Sequence, residues 1–209
     1  MDVFFAMSFS PNQIRFNYKY GAFLRNLKVL MLIFLMGGTP TALADQDIRI
    51  LVFGDSLSVG YGLLKEQSFP AQLETALIAE NYPVTVINAG VSGETTSGGL
   101  SRMAWVLDQT PDVDLVILGL GANDGLRGID PKITRKNLSA MIEILQERNI
   151  PVLLGGMKAL RNMGPVFTGS FDRLYPDLAE EFEITFYPFF LVGFALYPEL
   201  NLLYDLHQY

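Results

Sequence analysis

The chain has 209 residues, half of them hydrophobic, with a formal net charge of −7, one histidine and no cysteine. That is length and apolar content for one domain with a full core. It excludes disulfides, cysteine-ligated metals, iron–sulfur clusters, a thiol nucleophile and histidine-rich metal sites. The acid excess also argues against a nucleic-acid partner, because binding phosphate needs a positive face.

The chain opens on a basic stretch, Arg15, Lys19, Arg25 and Lys28, followed by the apolar run Val29–Met36. Small residues come next and end in Thr41-Ala42-Leu43-Ala44. This order predicts a secretory leader over 1–44, cleaved after Ala44, and a mature domain over 45–209 that is periplasmic or secreted. The apolar run is shorter than the ~20 residues that span a bilayer, which disfavours the alternative of a membrane anchor. No stable membrane insertion is expected after cleavage. The leader takes four basic residues and Asp2 with it, leaving 11 basic against 21 acidic residues, net −10.

In the mature chain, short apolar runs alternate with helical patterns. Ile48–Phe53 predicts a strand ending at Gly54. Ser68 is placed to cap a helix carrying Phe69, Leu73 and Leu77. Val84–Ile87 predicts a second strand. Thr96–Leu107 predicts a helix with Leu100, Met103, Ala104 and Leu107 inward, and Trp105 near that inner face. Leu115–Leu120 is apolar throughout, as a buried parallel strand is. Asp130-Pro131 marks a helix start, and Leu138, Met141, Ile142 and Leu145 form its apolar stripe. Val152–Leu154 predicts a fourth strand, Asp172–Phe182 a helix, and Ile184–Tyr187 a fifth strand. Such alternation builds an α/β fold: a three-layer α/β/α sandwich around a five-stranded, mainly parallel sheet.

Ligands of such sheets bind at the carboxyl ends of the strands. There the sequence places Gly54-Asp55-Ser56-Leu57-Ser58, then Asn88-Ala89-Gly90-Val91-Ser92-Gly93-Glu94-Thr95, then Gly121-Ala122-Asn123-Asp124, and at the far end Asp205 and His207. Their chemistry is complementary. A serine attacks an acyl carbon when a base takes its proton. Amide donors hold the oxyanion that forms. An aspartate orients a histidine and stabilises its charged form.

These blocks resemble those of the SGNH (GDSL) hydrolases, and most closely the bacterial periplasmic esterases of the arylesterase, thioesterase I and lysophospholipase L1 type. GANDGLRG, PVLLGGM and FDRLYPDLA are also similar to that subgroup. The likeness covers nearly all of 47–209. It implies the flavodoxin-like SGNH fold and a serine esterase or thioesterase acting on small acyl esters, acyl thioesters and lysophospholipids through an acyl-enzyme. It implies Ser56 as nucleophile, His207 as base and Asp205 as its partner. Ser56, Gly93 and Asn123 would form the oxyanion hole. Neither cofactor nor metal is called for.

One departure stands out. The family pattern is Asp-x-x-His, usually followed by a closing helix, whereas this chain reads Asp205-Leu206-His207 and stops at Tyr209. The shorter spacing predicts impaired catalysis. It keeps open an acyl-binding remnant without turnover; a carbohydrate O-deacetylase is a further alternative.

Plainer readings stand beside these. Ser56 alone reads as a helix cap. It is not a G-x-S-x-G elbow, because Ser58 stands where that motif needs glycine. Asp55 reads as a loop hydrogen-bonder, Gly90 as a turn glycine and Trp105 as core. Asp108, Asp112 and Asp114 read as a solvated acidic surface. The aromatic stretch Tyr187–Tyr197 reads equally as packing on the sheet or as an acyl-chain wall.

Overall fold

The computed structural model describes residues 47–191. The expected leader over 1–44, Asp205, His207 and the domain's far boundary lie outside the described residues.

Five parallel strands run β1 (Ile48–Gly54), β2 (Val84–Asn88), β3 (Leu115–Gly119), β4 (Val152–Gly155) and β5 (Thr185–Tyr187), in the order β2-β1-β3-β4-β5. Register pairs Ile50 with Val86 on one side of β1 and with Leu115 on the other. The helices are α1 (Ser56–Val59), α2 (Phe69–Ala79), α3 (Thr96–Gln109), α4 (Ala122–Leu126), α5 (Pro131–Glu147) and α6 (Pro165–Glu181). Right-handed crossovers send α2 to one face, because the chain steps from β1 to β2. They send α3, α5 and α6 to the other, because every later step runs the opposite way. α3 packs on α5 and α5 on α6 accordingly.

Period-two alternation divides the central strands between the two layers. Leu51, Phe53, Val116, Leu118, Val152 and Leu154 face Met103, Leu138, Met141, Ile142, Leu145 and Phe171 in one core. Ile50, Val52, Ile117 and Leu153 are equally buried but belong to the opposite side. The α5 stripe is fully buried, as its periodicity requires, and Asp130 caps that helix by accepting from the Lys132 amide at 2.9 Å.

Three details differ from the sequence reading. Trp105 is 65% exposed and Ala104 is also exposed; the buried face of α3 is Gly99, Met103, Val106 and Leu107. Gly99 sets this rotation, since a Cβ there would lie 2.3 Å from the Leu120 side chain. α6 begins seven residues before Asp172, at Pro165 behind Gly164, whose φ is +83°. Asp172 is instead an anchor, accepting from the Ala159 amide at 2.9 Å and pairing with Arg161 at 3.0 Å. Ser68 does stand at the start of α2, but its hydroxyl donates backward to the Lys65 carbonyl.

Candidate active site

The first strand ends where a side chain has no room. A Cβ on Gly54 would lie 2.1 Å from Ser58 Oγ and 2.9 Å from the Gly119 carbonyl. The chain therefore turns straight into α1 at Ser56. The carboxylate of Asp55 caps the turn, accepting from the Leu57 amide at 3.0 Å, while the Asp55 carbonyl takes the Ser58 and Val59 amides. These bonds leave the Ser56 N–H without an acceptor among the described residues, as first-turn amides are left when no side chain reaches them. Asp55 is fully buried. The loop role expected of it holds.

The second loop is laid against that turn. Val91 N–H donates to the Gly54 carbonyl at 3.0 Å. Gly90 is not a turn glycine: its φ is not positive, and a Cβ on it would lie 2.6 Å from Val59 N and 2.9 Å from the Asp55 carbonyl. It is glycine because two backbones touch there. Gly93 is the turn residue, with φ +74° at the third position of a Val91–Glu94 turn closed by Glu94 N–H to Val91 O at 3.2 Å. Its own N–H has no acceptor among the described residues.

Asn123, on α4, joins the two loops. Its Nδ2 donates to the Glu94 carbonyl at 3.0 Å and to Asp55 Oδ2 at 3.2 Å, and the residue is 5% exposed. Both amide hydrogens are thus engaged. Asp124 bolts α4 down from behind. Its buried carboxylate accepts from the Thr96 amide at 2.8 Å, the Thr96 hydroxyl at 2.5 Å and the Thr134 hydroxyl at 3.2 Å. Gly121, at φ +112°, leads into α4 over the hydroxyl of Tyr175, which donates to the Leu120 carbonyl at 3.1 Å. Burial, then the Asp124 and Asp55 charges, push the Tyr175 phenol well above its usual 10.0.

Sequence reasoning gave no role to Glu94, Arg102 or Arg127. Arg102 Nε donates to both Glu94 oxygens at 2.7 and 2.9 Å, and Nη2 to the Ala89 carbonyl at 2.8 Å. Its guanidinium lies 3.9 Å over the Phe53 ring. The signal for that clamp was a lone charge, Arg102, in the helix predicted over Thr96–Leu107. Arg127 Nη2 donates to the Gly93 carbonyl at 2.8 Å; its signal was the four-residue spacing from Asn123.

Phe190 lies across the carboxyl ends of β3 and β4, 3.1 Å from where a Gly155 Cβ would stand and 3.9 Å from that of Gly119. It meets Phe69 edge-on at 5.0 Å. Packing on the sheet is the reading that holds for Phe190; residues 192–197 of that stretch lie outside the described residues. No group of three or more metal-ligating side chains is gathered among the described residues, and no helix among them is long and apolar enough to cross a membrane.

The GDSL-like lipase/acylhydrolase family matches residues 52–207, and the chain belongs to it. An arylesterase of Vibrio mimicus is 42% identical over 160 residues, 76% of this chain and 79% of that protein. Esterase TesA of Pseudomonas aeruginosa is 38% identical over 144 residues, 69% and 71% of the two chains. The crystal structure of AlinE4, an SGNH-hydrolase family esterase, superposes with a TM-score of 0.74 at 49% identity, covering 76% of this chain and 84% of that one.

Proposed function

We infer that the chain is a serine esterase and thioesterase that hydrolyses small acyl esters, aryl esters, acyl thioesters and lysophospholipids among them, through an acyl-enzyme. One observation carries the reading. The Ser56 turn, the Gly93 turn and the Asn123 helix are locked together by Asp55–Asn123–Glu94 hydrogen bonds at one edge of the sheet. Two backbone amides there, of Ser56 and Gly93, have no acceptor among the described residues.

In this mechanism Ser56 Oγ attacks the acyl carbon as His207 takes its proton, with Asp205 stabilising the imidazolium. The Ser56 and Gly93 amides and Asn123 Nδ2 hold the oxyanion. Asn123 frees a hydrogen for this by giving up the longer of its two bonds, the one to Asp55. Collapse of the tetrahedral adduct expels the alkoxide or thiolate, which recovers the proton from His207. Water, activated by the same histidine, then attacks the ester of Ser56 and releases the acid. Expected at the start of the chain is the secretory leader, so the enzyme works in the periplasm or outside the cell.

The test is turnover of p-nitrophenyl butyrate by the full chain beside Ser56→Ala and His207→Ala. Loss of on the order of 10³-fold or more is expected in each variant, and equal rates in all three would end the mechanism. The Asp205-Leu206-His207 spacing favours a second reading, a binder that holds acyl ligands without turnover. A fluorophosphonate probe separates the two, because it labels Ser56 only when the serine is activated.

A further inference from the structure

We propose that Arg127 is a positioning residue for the oxyanion hole: by holding the Gly93 carbonyl it anchors the turn from which the Gly93 N–H reaches the substrate carbonyl. The proposal rests on the reading of Gly93 as an oxyanion donor. Asn123 on α4 and Arg127, which caps the C-terminus of that helix, stand one turn apart, and their side chains grip successive carbonyls of the same loop. Asn123 Nδ2 holds Glu94 O at 3.0 Å and Arg127 Nη2 holds Gly93 O at 2.8 Å.

Glycine at φ +74° has no side chain to resist rotation about its own bonds. The peptide joining Gly93 to Glu94 is tied at both ends. Its N–H goes to Val91 O over 3.2 Å, and its carbonyl goes to Arg127. Without Arg127 the longer bond alone remains. Steric support is equally thin, since among the described residues a Cβ on Gly93 would find Arg127 Nη2, at 3.6 Å, as its one neighbour within 4 Å. The Arg127 side chain therefore fixes the peptide plane that follows Gly93, and the turn so anchored carries the Gly93 N–H in the plane before it. Arg127 is itself exposed, so its removal opens no cavity.

The test is steady-state hydrolysis of p-nitrophenyl butyrate by the full chain, comparing wild type with Arg127→Ala and Arg127→Lys. Arg135→Ala, which breaks a surface pair with Glu181, serves as the arginine control. Arg127→Ala should lower kcat about tenfold, less than the 10²–10³ lost when an oxyanion donor is removed outright. KM should stay within about twofold, as befits an interaction made in the transition state. Arg127→Lys should recover part of kcat, and fluorophosphonate labelling of Ser56 should slow in parallel with kcat. The melting temperature should match that of Arg135→Ala. Unchanged kcat in Arg127→Ala, or a loss tracking a lowered melting temperature, would overturn the proposal. A Ser56→Ala variant as active as wild type would instead remove the reading beneath it.

Discussion

Asn123 and Asp55 are 68 residues apart in sequence, yet the carboxamide of one donates to the carboxylate of the other over 3.2 Å in a buried setting. The contact joins the helix after β3 to the cap of the helix that begins with Ser56. Asp55→Asn keeps an oxygen to cap the Leu57 amide, but then sets N–H against N–H at Asn123. Leaving a buried donor unmet costs about 1–3 kcal/mol. A melting temperature several degrees lower is expected, with kcat reduced more than KM is raised. Unchanged thermal and kinetic behaviour would show that Asp55 does not hold Asn123.

The two glycines of the second loop should fail differently. Gly90→Ala drives a methyl into Val59 N and the Asp55 carbonyl. Overpacking of that kind costs about 1–3 kcal/mol and displaces the serine turn, so stability and activity should fall together. Among the described residues Gly93→Ala meets only Arg127, and it suffers its positive φ, a strain of about 1–2 kcal/mol. Its activity should fall by more than its stability. Paired melting and kcat measurements on the two variants check the contrast.

Glu94 is 8% exposed in its side chain and is held by Arg102. Glu94→Ala strands the guanidinium beneath the loop, and breaking such a pair costs about 3–5 kcal/mol. Glu94→Gln retains one acceptor for Arg102 and should lose less. Urea midpoints of the two variants measure the difference, and equal midpoints would show that the acceptor kept by Gln contributes nothing.

Tyr175 gives a pH signature. Its phenol ionises higher in the folded chain than its ordinary 10.0. Above pH 10 the unfolded chain loses a proton that the folded chain keeps, so unfolding is favoured as pH rises. The contribution is complete below pH 10 and is lost upward from there, at about 1.4 kcal/mol per pH unit for one group. Tyr175→Phe should be less stable near neutrality by about 1 kcal/mol, for the lost bond to Leu120 O, yet should flatten the alkaline decline. Thermal melts from pH 8 to 11 follow both effects, and a variant with the same alkaline slope as wild type would refute the assignment.

Periodicity alone revealed the strands and the α5 stripe, because burial on both faces of a parallel sheet demands unbroken apolar runs. Ser56, Gly93 and Asn123 could be singled out because they stand in the loops and helix starts that follow β1, β2 and β3, where position narrows the choice; the roles proposed for them come from the resemblance. Trp105 was misread because a close glycine contact at Gly99, not the count of apolar residues, sets how α3 is rotated. The same blindness hid Gly90. Contact between two backbones leaves no mark in sequence that distinguishes it from a turn. Arg127 was passed over because its acceptor is a main-chain carbonyl, which every residue possesses and no pattern displays, and Arg102 because its partner Glu94 lies in the loop before α3, where helix spacing links nothing.

At Gly54 and Gly90 bare glycine backbone lies against the turn that carries Ser56, with no room for even a methyl group. That floor offers evolution nothing to adjust. Sequence drift is thereby barred at these two positions, where an added methyl would push the Ser56 turn away from the end of β1.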